Sequence, residues 1–165
     1  METMKVLKME FRKTAVLLFS VLFLFAAGCA QKGGNISVDT AKAADKLIAG
    51  IKFSDQMSAV DGKTAQRLFS LEDGDTAELK VYESTGATAE EVAVFQAKDS
   101  AAVGRIKDAA QTRIEDQRSA FEDYQPKEME KLKAPVLKVV GNYVFLCVSD
   151  DNAKAEKLIG EITGQ

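Results

Sequence analysis

The stretch Glu91–Lys98, EVAVFQAK, decides the fold. In an extended chain, Val92 and Val94 point to one side and Ala93, Phe95 and Ala97 to the other. Both sides are apolar or small, which predicts a strand covered on both faces near the middle of a sheet. Just upstream, Ala77–Ser84 (AELKVYES) alternates Leu79 and Val81 with Lys80 and Tyr82. The break Thr85-Gly86-Ala87 separates the two segments closely enough that they pair antiparallel.

Downstream, Asp99–Tyr124 carries Val103, Ile106, Ala110, Ile114, Gln117, Phe121 and Tyr124 at spacings of three or four. Arg105, Asp108, Arg113, Asp116 and Glu122 occupy the other side, so a long helix rests on something apolar with a charged face in water. Asp99 caps it and Pro126 ends it. Val136–Val140, Gly141-Asn142 and Tyr143–Ser149 read as a β-hairpin around a two-residue turn. Asp150 or Asp151 then caps a last helix with Ala155, Leu158, Ile159 and Ile162 inward. Before the first strand, Ser37–Ile51 and Asp61–Phe69 read as helices, the former stopping at Gly50. The expectation is a single α+β domain. It has about four antiparallel strands, a long helix packed across the sheet, and flanking helices.

The chain has 165 residues, a net charge of −3 and no histidine. Lacking histidine, it has neither the usual general base near neutral pH nor the commonest zinc ligand. Ser–His–Asp and Cys–His catalysis are excluded. Cys147 lies in the apolar run YVFLCVS and reads as a buried, inert thiol. Glu72-Asp73-Gly74-Asp75 lacks the alternating oxygen register of a calcium loop and reads as a solvated acidic turn. Glu90 and Glu91 are adjacent and diverge on a strand, so they make no catalytic carboxylate pair. No glycine-rich phosphate loop follows a strand. Neither a cofactor nor a metal is expected.

The N-terminal segment gives the address. A polar start with a basic excess, Lys5, Lys8, Arg12 and Lys13 against Glu2 and Glu10, precedes Ala15–Ala27, AVLLFSVLFLFAA. That run is too short to span a bilayer core, which takes roughly 20 apolar residues, and fits the apolar part of a secretory signal peptide. Ala26-Ala27-Gly28 followed by Cys29 resembles the lipobox of bacterial lipoproteins, with Ala26 where leucine is usual. The resemblance implies cleavage between Gly28 and Cys29 and a diacylglycerol thioether on Cys29. Residues 1–28 are then a signal peptide, 29–36 a lipidated cysteine with a polar, glycine-rich tether, and 37–165 the extracytoplasmic domain. The part after the cleavage point is mildly acidic. It therefore carries no electrostatic affinity for nucleic acid or anionic lipid, and attachment to the membrane rests on the lipid.

Several segments together carry a second resemblance. They are Ile51-Lys52-Phe53, Leu79–Ser84, Thr88–Phe95 with Lys98-Asp99, Phe121–Pro126, and Gly141–Val144 leading to Ser149-Asp150-Asp151. In order and spacing this set is similar to domain-of-unknown-function family 4358, found in bacterial membrane-associated lipoproteins, over most of residues 38–163. The resemblance implies an exported, lipid-anchored α+β domain and brings no catalytic residue, ligand or cofactor. The expected role is a non-enzymatic binding or accessory domain of the cell envelope, meeting an envelope protein or a wall polymer. Tyr124 and Pro126, at the end of the long helix, are candidate partner contacts. The alternatives are a carboxylate-dependent hydrolase of a wall or sugar polymer, and a structural or assembly subunit.

Overall fold

Five strands form one antiparallel sheet in the order β1-β2-β3-β5-β4, in a computed structural model that describes residues 36–165. The expected signal peptide, its expected cleavage point at Gly28 and Cys29, and the expected tether up to residue 35 lie outside the described residues. The elements in chain order are α1 (Thr40–Gly50), β1 (Ser58–Val60), α2 (Gly62–Leu68), β2 (Thr76–Glu83), β3 (Glu91–Ala97) and α3 (Ser100–Tyr124). A single 3-10 turn, Pro126–Glu128, leads into α4 (Met129–Lys133), β4 (Val136–Val140), β5 (Tyr143–Val148) and α5 (Asn152–Thr163). This is the expected α+β domain with one strand more than predicted, because the three-residue β1 is too short to show an alternation.

The strand read from EVAVFQAK is the centre of the sheet, flanked by β2 and β5. Its two faces serve two cores. Ala93, Phe95 and Ala97 pack with Phe69 of the α2 segment and with Ile106, Ala110 and Ile114 of α3. Val92 and Val94 pack with Leu47 of α1 and Leu158 and Ile159 of α5. The sheet is therefore sandwiched, with α2 and α3 on one face and α1 and α5 on the other. Aliphatic and aromatic side chains removed from water at ~25 cal/mol per Å² supply the main stabilisation on both faces.

Among the described residues, four helices are opened by an aspartate in the same way. The side chains of Asp39, Asp61, Asp99 and Asp151 accept from the backbone N–H groups of Lys42, Thr64, Ala102 and Lys154, three residues on. Each satisfies a donor that the helix leaves free. Gly50 is the last helical residue of α1, and its role is contact: a Cβ there would lie 2.6 Å from Cδ1 of Leu158. It lets α1 lie close on α5. The hairpin turns at Gly141, whose φ of +58° suits a primed two-residue turn.

The N-terminal end of α1 is fixed at one end of the sheet. The Val38 N–H donates to the Tyr143 hydroxyl at 3.1 Å, and the Thr40 hydroxyl donates to Glu78 at 3.2 Å.

Three side-chain expectations need correction. Asp75 is not solvated: it is buried, accepts from the Glu72 N–H, and pairs with Arg105 at 2.7 Å. Arg113 does not sit in the wet face of α3 but turns inward, its side chain 18% exposed. Tyr124 is 68% exposed instead of packed into the apolar stripe, because α3 ends there with only Phe121 beside it, ring centres 6.2 Å apart.

Candidate functional site

Two glutamates at the head of the apolar strand β3 organise the site. Glu90 and Glu91 are both buried, with 1% and 0% exposure. A carboxylate taken out of water is tolerated only with partners, and each has its own set.

Glu90 accepts from the backbone N–H groups of Ser54 and Asp55 at 2.8 and 3.0 Å and from the Thr88 hydroxyl at 3.0 Å. It also accepts from the Lys131 ammonium at 3.1 Å. Lys131 is itself buried and bridges onward to Glu128 at 3.0 Å and Asp150 at 3.5 Å. Burial pushes the Glu90 carboxyl upward, but the two backbone donors and Lys131 outweigh it and hold the pKa below the ordinary value.

Glu91 is built differently. Sheet register places it directly across from Glu83, and like charges in that position repel. Arg113 of α3 resolves the clash. Its Nε donates to Glu91 Oε2 at 3.1 Å and its Nη2 to Glu83 Oε1 at 2.6 Å. One turn on, Gln117 Nε2 donates to the same Glu91 Oε2 at 2.8 Å. Both donors therefore serve one oxygen. Glu91 Oε1 and Gln117 Oε1 are buried without any partner. Burial is the main reason the Glu91 pKa is pushed up to about 7; Arg113 opposes the rise and Glu83 adds to it.

This network borders a cavity of about 430 Å³ between the β2–β3 turn and the C-terminal half of α3. Glu83, Glu90, Arg113, Asp116 and Gln117 supply its polar wall, and Phe121 an apolar one. A wider depression of about 610 Å³ lies beside α2, where Lys63, Arg67 and Asp73 are all exposed. The first cavity is the better candidate site, because polar groups fixed by burial converge on it while those of the second are free in solvent.

The other sites singled out in the sequence fall elsewhere. Cys147 is fully buried on β5, and burial pushes its thiol up to about 11; it is inert. Tyr124 and Pro126 are exposed beyond Phe121, outside the cavity wall. Glu83, Arg113 and Gln117 were not identified as a site from the sequence. Glu83 and Glu91 are eight positions apart and meet only through register. The available signal was a glutamate heading an otherwise apolar strand, together with a glutamine in the inward stripe of α3.

The fold and the site together define a class: a sandwiched antiparallel α+β domain with a polar cavity beside its central strand. Residues 49–149 match the family model described as "Domain of unknown function (DUF4358)". The chain belongs to this family. No curated protein and no solved structure matches it. Among the described residues, no helix is long and apolar enough to cross a membrane.

Proposed function

We propose that this chain is a lipoprotein held on the extracytoplasmic face of the cell membrane through lipid on Cys29. Its domain serves as a non-enzymatic binding or accessory module, with the cavity beside Gln117 as the binding site. The sequence supports the anchor: a basic start, a thirteen-residue apolar run, and Ala26-Ala27-Gly28 before Cys29. The observation that carries the binding role is Gln117, a buried side chain of the wall of a preformed cavity whose Oε1 has no partner. A buried acceptor without a donor costs about 1–3 kcal/mol, a cost that a ligand's donor relieves.

Two experiments test the two halves. Mass spectrometry of the mature N terminus is expected to find lipidated Cys29, and Cys29→Ser to release the chain from the membrane fraction; an unmodified Cys29 or a retained Gly28 removes the anchor. For the binding half, the full chain is crosslinked in its own membranes beside Gln117→Leu. A partner or wall fragment recovered by the wild type and lost in the variant is the expected result. Identical recovery from both removes the cavity from the function.

The carboxylate hydrolase is the second reading, favoured by Glu83 and Glu91 facing each other with Glu91 near pKa 7. Weighing against it, Glu91 has no exposed surface and Arg113 bridges both carboxylates. Release of fragments from a wall polymer, abolished by Glu91→Gln in a folded variant, would favour it over binding.

A further inference from the structure

One buried side chain of the cavity wall is short of a donor. Gln117 is 7% exposed, lines the cavity, and has its amide nitrogen committed to Glu91; its oxygen has no donor. Glu91 Oε1 also lacks a donor, but Glu91 has no exposed surface and does not line the cavity. Charge points the same way. Among the described residues lining the cavity, Arg113 is the single cation, and its Nε and Nη2 are spent on Glu91 and Glu83. Glu90 is neutralised by Lys131 from behind. Asp116 adds an exposed carboxylate on the same wall as Gln117. An acceptor without a donor, in a wall carrying surplus negative charge, calls for a ligand that brings both hydrogen-bond donors and positive charge. Among the described residues no three His, Cys, Asp or Glu side chains are grouped to hold a metal ion, and the apolar Phe121 wall suits an organic group.

We infer that the cavity takes a small organic cation bearing a primary ammonium group, whose N–H donors meet Gln117 Oε1 and whose charge is balanced by Asp116 and Glu83. Phe121 offers the hydrocarbon part of such a ligand an apolar wall. This rests on the reading of the cavity as the binding site and names its ligand class. Affinity depends on pH with a definite sign. The groups facing Glu91 are Glu83 from β2 and Arg113 and Gln117 from α3, while its neighbour on β5 is Val148. A cation favours ionised Glu91, so binding strengthens severalfold between pH 6 and 8, a range in which a primary amine stays protonated.

The test is calorimetric titration of the full chain in detergent with three probes: butane-1,4-diamine, tetramethylammonium chloride and glucose. The expected result is saturable binding of the diamine, stronger at pH 8 than at pH 6. Gln117→Leu weakens it about tenfold, the loss of a hydrogen bond to a charged group. Asp116→Asn, at an exposed position that leaves the fold intact, weakens it severalfold. Tetramethylammonium has charge and no N–H donors; if it binds as tightly as the diamine, the donor role of the ligand is wrong. If glucose binds in a Gln117-dependent way and the diamine does not, the cation inference falls while the cavity stands as a ligand site. If no probe binds and the crosslinked partners of Gln117→Leu match those of the wild type, both fall.

Discussion

Glu90 and Glu91 are adjacent in the chain and almost equally buried, yet their surroundings drive them in opposite directions. Glu90 is surrounded by donors: two backbone amides, a hydroxyl and a buried ammonium, shared over both its oxygens. Its charge is kept and its pKa lies low. Glu91 has two donors on one oxygen, none on the other, and a second glutamate across the ladder. Its charge is expensive and its pKa is raised to about 7. Desolvation is common to both, so the difference comes from donor count and neighbouring charge. A saturated carboxylate ties together parts of the fold, here the 54–55 loop, α4 and β3. An undersupplied one leaves its neighbours short as well: Gln117, which lines the cavity, spends its amide nitrogen on Glu91 and keeps its oxygen free.

Removing the ammonium is the most severe way to break the comparison. Lys131→Met leaves Glu90 buried without its counter-ion and is expected to cost about 3–5 kcal/mol, read as a lower urea midpoint. A loss below 1 kcal/mol would mean that the backbone amides suffice.

Next comes the pH response of Glu91. In the folded state it holds a proton that the unfolded chain releases near its ordinary pKa of 4.5. Its contribution to stability therefore falls as pH rises from about 4.5 to 7, by roughly 3 kcal/mol in total. Glu91→Gln is expected to remove that slope, in unfolding curves recorded every half pH unit across the window. Glu90 has the opposite sign: its folded pKa is depressed, so it stabilises above the unfolded value and its contribution is lost as pH falls through the folded one. A variant that keeps the full wild-type slope would assign it to another group.

Smaller effects sharpen the picture. Thr88→Val deletes one of Glu90's donors and is expected to cost about 1 kcal/mol. Combined with Lys131→Met the effect should be non-additive, since both serve the same carboxylate. Tyr124→Ala touches neither network and should stay within about 0.5 kcal/mol of the wild type; a larger loss would show that its contact with Phe121 stiffens the cavity wall.

Much of this fold is legible in the sequence, because its signals are local. The two-sided apolar pattern of EVAVFQA, the four capping aspartates and the Gly-Asn hairpin turn all act within a few residues. What escapes depends on distance. The strand Ser58–Val60 is defined by pairing with β2, with Ala59 opposite Tyr82, and three residues carry no period of their own. The short helix Met129–Lys133 is held from outside, by Arg118 donating to the Leu132 carbonyl at 2.9 and 2.6 Å. The candidate site is hidden for the same reason. Register joins Glu83 to Glu91, and Arg113 counts as a wet-face residue until the two strands beneath it are known to present a glutamate each.

The seat of α1 has a mechanical consequence. Val38 and Thr40 are fastened to Tyr143 and Glu78, while the cavity lies by Glu83, five residues further along β2. At about 3.3 Å per residue that is roughly 17 Å of strand, and α1 lies on the face opposite α3. A pull arriving from upstream of residue 36 therefore loads the far end and far side of the sheet. It enters the domain through hydrogen bonds that the cavity does not use, so a pull on the proposed tether is taken up first at the end of the sheet away from the cavity.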